Sequence, residues 1–150
     1  MCIRDSNHGG QIQVVPTLED FTLDLEAIRA AINKRTKVVL INSPNNPTGQ
    51  VYDRDSLEKL GDLLRTSSSK LGKDLYLVSD EPYRKIVYDG VAVPSILESY
   101  PNSIVATSYS KDVSLPGERL GYLVVHPKAC LLYTSPSPRD LSTSRMPSSA

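Results

Sequence analysis

Cysteine is nearly missing from this chain: among 150 residues only Cys2 and Cys130 carry a thiol. Both lie in end segments that read as translated adaptor, so the rest of the chain has neither a disulfide framework nor a thiolate metal site. Histidine is as scarce, with only His8 and His126, so no metal cluster is expected. Charge of one sign is also lacking, because 17 Lys and Arg balance 17 Asp and Glu. That balance leaves no electrostatic footprint for nucleic acid or an anionic membrane surface. No apolar run approaches the roughly 20 residues a membrane-spanning helix needs, and Met1 opens no signal-peptide pattern. A Gly-x-Gly-x-x-Gly turn and a Walker-type Gly-Lys-Ser/Thr loop are both absent, which disfavours a generic nucleotide-binding domain. The remaining expectation is a soluble, cytoplasmic α/β protein, its length suited to part of one domain.

The two ends stand apart from the rest. Met1-Cys2-Ile3-Arg4-Asp5-Ser6 back-translates as ATG TGT ATA AGA GAC AG, which resembles a transposase adaptor of sequencing libraries. Cys130-Leu131-Leu132-Tyr133-Thr134-Ser135 reads as the reverse complement of the same element, and residues 136–150 continue as adaptor, barcode and primer. Residues 1–6 and 130–150 are therefore expected to be translated adaptor, and residues 7–129 a protein segment truncated at both ends. Both cysteines then fall outside that segment. Composition alone predicts the Ser- and Pro-rich tail to be disordered.

Within residues 7–129 the hydrophobic pattern alternates between strand and helix. Asn7-His8-Gly9-Gly10 reads as a turn feeding a strand over residues 11–16, where polar and apolar residues alternate up to Pro16. Leu25, Ile28, Ala31 and Ile32 recur at helical spacing over residues 23–33, with Asp24 and Glu26 near the positive end of the helix dipole. Residues 37–42 form a β-branched run typical of a buried parallel strand. Leu57, Leu60, Leu63 and Leu64 then define a helix over residues 55–66, with residues 67–70 as a solvated loop. Further strands are expected at residues 75–79, 103–107 and 121–125, and a brief helix within residues 94–100. Residues 86–90 read as a short extension ending in a turn. Tyr52, Tyr76 and Tyr88 are expected to be packing residues. Apolar strands separated by helices, with few tight hairpin signals, indicate a largely parallel sheet between layers of helices.

Polar residues gather where those strands end. Asn45 and Asn46 follow the first buried strand in the turn-rich Ser43-Pro44-Asn45-Asn46-Pro47-Thr48-Gly49. Asp80 and Tyr83 follow the next, where Pro82 forces a bend. Ser108, Ser110 and Lys111 follow the third, and Arg119 comes one short loop later beside Pro116-Gly117. Parallel strands bring such ends to one edge of the sheet, where ligand crevices lie in open α/β folds. Hydroxyls and a guanidinium fork suit a phosphate, because Arg donates two parallel charge-assisted hydrogen bonds. A lysine beside a bound phosphate suggests a cofactor with both a phosphate and an aldehyde, namely pyridoxal phosphate held as a Schiff base.

In this order the motifs Asn45-Asn46-Pro47-Thr48-Gly49, Ser79-Asp80-Glu81-Pro82-Tyr83, Ser108-Tyr109-Ser110-Lys111 and Pro116-Gly117-Glu118-Arg119-Leu120-Gly121 resemble the class I/II pyridoxal-phosphate aminotransferases of fold type I. The resemblance covers essentially all of residues 7–129. It implies a partial three-layer α/β/α large domain with a mostly parallel sheet. It also implies that Lys111 bonds the cofactor and moves the substrate proton, while Asp80 faces the pyridine nitrogen. Tyr83 and Asn46 are then donors to the ring's phenolic oxygen, with Ser108, Ser110 and Arg119 as phosphate ligands. The Asn46-Pro47 bond is often cis in this family. Substrates implied are an L-amino acid and a 2-oxo acid, and the parent enzyme is implied to be a homodimer. Carbon–sulfur lyases and aminocyclopropane-carboxylate synthases share the same anchors, so lyase or synthase chemistry stays open. An upstream glycine loop, an upstream stacking aromatic and a downstream carboxylate-binding arginine have no counterpart in residues 7–129. The fragment alone is therefore expected to be inactive.

Overall fold

A computed structural model describes residues 9–129. The expectations for His8, both cysteines and the two adaptor-like ends lie outside the described residues.

Eight elements follow in order: α1 Leu25–Ala31, β1 Val38–Asn42, α2 Arg54–Leu71, β2 Tyr76–Asp80, α3 Ile96–Ser99, β3 Ser103–Ser108, α4 Tyr109–Asp112 and β4 Gly121–Val125. The strands form one sheet in sequence order. β1, β2 and β3 run parallel, with Asn42 opposite Asp80 and Asp80 opposite Ala106. β4 returns antiparallel, setting Gly121 against Ser108. The sheet is thus mostly parallel, as expected.

Side chains alternate between the two faces of a strand, and here the alternation divides buried from exposed. Ile41, Leu77, Ser79, Ser103 and Val105 are buried on one face. Ile41, Leu77 and Val105 meet Leu57, Leu60 and Leu64 of α2, Ile28 of α1, and Ile96 and Tyr100 at α3, in one core. Full burial of each such leucine contributes roughly 1.5–3 kcal/mol. Leu40 and Leu123 on the opposite face are each 67% exposed. Helices therefore cover one face of the sheet among the described residues, so two of the three expected layers are seen.

Four local expectations are corrected. Residues 11–16 form no strand; Val14 is 83% exposed and only Val15 packs on the core. Alternation there lacked a neighbouring strand to supply ladder hydrogen bonds. α2 runs through the expected loop at residues 67–70 and stops at Gly72, a left-handed cap with φ 63°. The serines stay helical because Ser68 has a tertiary role. Its Oγ accepts from Leu75 N (3.2 Å) and lies 3.2 Å from Tyr100 Oη. Tyr88 is exposed rather than packed, whereas Tyr52 is buried. α1 is shorter than expected, and Asp24 caps it by accepting from Ala27 N at 2.8 Å.

Candidate functional site at the carboxyl edge of the sheet

β1, β2 and β3 being parallel, their carboxyl ends and the loops that follow share one edge. The loop after β1 is tied by its own polar side chains. Thr48 Oγ1 donates to Asn45 Oδ1 (2.9 Å), and Asn45 N donates to Gln50 O (2.9 Å). The Ser43-Pro44 and Asn46-Pro47 bonds are both cis. Asn42 joins two strand ends, because its Nδ2 donates to Asp80 O (2.7 Å) and its Oδ1 accepts from Asn46 N (3.0 Å). Sequence reasoning treated Asn42 as the mere end of a strand. The available signal was a side-chain amide closing an otherwise apolar run.

After β2 the chain bends at Pro82, and β3 secures the bend. Glu81 N donates to Ala106 O (2.8 Å), while Thr107 Oγ1 donates to Glu81 O (3.1 Å). The Glu81 carboxylate is buried and paired with Arg84 at 2.8 Å. Arg84 also donates to Val93 O (2.6 Å). Glu81 therefore holds the loop's shape. This bend presents Tyr83, whose Oη receives Asn46 Nδ2 at 2.9 Å. After β3, the single turn α4 carries Ser110 and Lys111, and Lys111 Nζ stands 5.8 Å from the centre of the Tyr83 ring. That is cation–π range.

Asp80 ends β2 in register between Asn42 and Ala106. By surface area the residue is exposed at the sheet's edge. Burial raises its pKa above the ordinary carboxylate value. Ser108 sits at the N-cap of α4, yet its hydroxyl makes no capping bond. Arg119 is exposed, has φ 53°, and lies two residues before Gly121, the register partner of Ser108. The structure thus brings Asn46, Tyr83 and Lys111 into contact, and sets Asp80, Ser108, Ser110 and Arg119 along the same edge. A cavity of about 200 Å³ lies elsewhere: Glu81, Lys85, Val105, Thr107, Asp112 and Tyr122 line it on the helix-bearing side.

An open α/β sheet with converging polar groups outside its carboxyl ends defines a ligand-binding α/β protein. The chain belongs to the aminotransferase class I and II family, whose family model matches residues 6–148. It is 36% identical over 116 residues to a probable aspartate aminotransferase of Methanocaldococcus jannaschii, covering 77% of this chain and 29% of that protein. A crystal structure of an aminotransferase from Eubacterium rectale superposes with a TM-score of 0.76 at 45% identity, covering 79% of this chain and 30% of the other. Aspartate aminotransferase from Thermotoga maritima gives 0.68 at 38% identity, covering 81% and 32%. The chain spans about three-tenths of the length of the relatives it matches.

Proposed function

We propose that this chain carries the cofactor-anchoring residues of a pyridoxal-phosphate-dependent transaminase, which moves an amino group from an L-amino acid to a 2-oxo acid. The observation that carries the reading is the Asn46–Tyr83 hydrogen bond with Lys111 above the same ring, on the sheet edge that Asp80 shares. The donor set fits pyridoxal phosphate: one amine, one carboxyl, a phenol–amide pair and a guanidinium with two serine hydroxyls. When bound, the cofactor supplies an electron-accepting ring and a carbonyl carbon that carries the amino group between substrates.

Each residue's part follows from its chemistry. Lys111 Nζ would hold the cofactor at its carbonyl carbon and, once displaced by substrate, would be the base that removes the proton from the substrate α-carbon. The Asp80 carboxylate would keep a proton on the pyridine nitrogen, and that cation would offset the burial that opposes its charge. Tyr83 Oη and Asn46 Nδ2 would donate to the phenolic oxygen and favour its ionised form. Arg119, Ser108 and Ser110 would bind phosphate oxygens. By the same resemblance the enzyme at its relatives' length is proposed to be a cytoplasmic homodimer; light scattering of a full-length chain tests the dimer.

The test is capture of pyridoxal phosphate by the purified chain, fixed with borohydride and located by peptide mass. Modification concentrated on Lys111 and lost in Lys111→Ala supports the reading. Label spread evenly over the surface lysines overturns it. In a full-length chain, keto-acid exchange supports transamination, whereas ammonia release without exchange assigns elimination chemistry instead.

A further inference from the structure

Two segments that meet at Tyr83 and Lys111 are joined a second time behind that contact. Lys85, two residues beyond Tyr83, places its Nζ 3.0 Å from Oδ2 of Asp112, the neighbour of Lys111. Among the described residues this is the one ion pair between the bend after β2 and α4. The two partners are unlike: the Lys85 side chain is 67% exposed, the Asp112 side chain 11%. Asp112 Oδ1 is buried and has no hydrogen-bond partner. Among the described residues Lys85 is the carboxylate's one partner, and a nearly buried charge holds its partner's position strongly because separation leaves it unpaired. The hydrogen bond and charge of Asp112, in turn, raise the Lys85 pKa. Both residues line the cavity of about 200 Å³ behind the site.

We propose that the Lys85–Asp112 pair is a positioning clamp that sets the approach of the Lys111 amine to the Tyr83 ring. The proposal deepens the functional reading above and rests on it for its consequence, since Lys111 must meet a carbonyl carbon held by groups on the other segment. A displacement of about 1 Å at a reacting group is enough to lower a rate by orders of magnitude. Neither Lys85 nor Asp112 touches the proposed cofactor; each acts through its neighbour.

Carbon-13-labelled lysine in the full chain gives a cofactor-free measurement. The Hε signal of Lys111, identified by its loss in Lys111→Arg, is expected to be shifted upfield by the Tyr83 ring. In Lys85→Met and in Asp112→Asn most of that shift should disappear, while Lys85→Arg should keep it. Lys59, paired with Asp55 on α2, is the control and should not move. An unmoved Lys111 signal in Lys85→Met overturns the clamp. Collapse of the whole spectrum in that variant also overturns it, because the pair would then serve the fold and not the site. Borohydride-fixed pyridoxal phosphate supplies the second arm: label on Lys111 should fall several-fold in Lys85→Met and recover in Lys85→Arg. Failure of the unmutated chain to take label rejects the functional reading, and the lysine spectra still decide the clamp.

Discussion

Asp80 shows how a single residue can oppose the fold that carries it. Burial raises its carboxyl pKa from the ordinary 3.8, so the folded state holds its proton more tightly than the unfolded chain. Stability contributed by that proton is present below 3.8 and is lost as pH rises through the folded value. Asp80→Asn should therefore make the chain more resistant to urea at pH 7, with the advantage shrinking as the pH falls toward 3.8. The same substitution should weaken capture of pyridoxal phosphate, a separation of stability from function typical of site residues. Tyr83→Phe is a narrower change, since it removes the bond from Asn46 but keeps the ring beneath Lys111. It should cost no more than about 1 kcal/mol in urea unfolding, and yet reduce labelling of Lys111 several-fold. Asn42→Ala removes bonds to both Asp80 O and Asn46 N. It should lower stability by about 1–3 kcal/mol and release the loop that carries Asn46, read as loss of amide protection at that residue.

At the scale of elements, α2 is where local preference and packing disagree. Gly61 lies in its interior, where alanine is favoured over glycine by about 1 kcal/mol. A Cβ at Gly61, however, would run into the backbone oxygen of Ser99, which already accepts from Arg65 Nη1 at 2.7 Å. Overpacking against backbone costs roughly 1–3 kcal/mol, so Gly61→Ala should be net destabilising, with a lowered urea midpoint and an unchanged slope. Gly121 is confined in the same way, its added Cβ falling 2.6 Å from Thr107 O. Close approach there lets β4 pair with Ser108 at the site. The helix seam of α2 was legible because Leu57, Leu60, Leu63 and Leu64 recur at one face. Its end was not, because residues 67–70 look like a loop until Ser68 is seen bonded to Leu75 and Tyr100.

For the described part as a whole, the uncovered sheet face decides behaviour in solution. Val38, Leu40 and Leu123 are exposed on it, and β1 and β4 are the two edges of the sheet. Exposed apolar surface beside unpaired strand edges favours association between copies. Leu40→Lys combined with Leu123→Lys should raise the concentration at which the chain aggregates in light scattering. Exposed positions of this kind usually tolerate substitution within about 0.5 kcal/mol, so the urea midpoint should barely move.

Hydrophobic periodicity determined α1, the seam of α2 and the four strands, because burying one face of a helix or strand demands a fixed spacing of apolar residues. Ordered motifs at three strand ends likewise picked out Asn46, Asp80, Tyr83, Ser108, Ser110, Lys111 and Arg119. Periodicity carries no information about partners, and that is where the tertiary structure decided. It left residues 11–16 without a strand to pair with, turned β4 antiparallel, and placed helices on one face of the described sheet. It also gave Asn42 its place between two strand ends and set Lys85 against Asp112. The Asn42–Asp80 and Lys85–Asp112 contacts join residues far apart in sequence, the others depend on which strand lies beside which, and only the packed sheet brings them together.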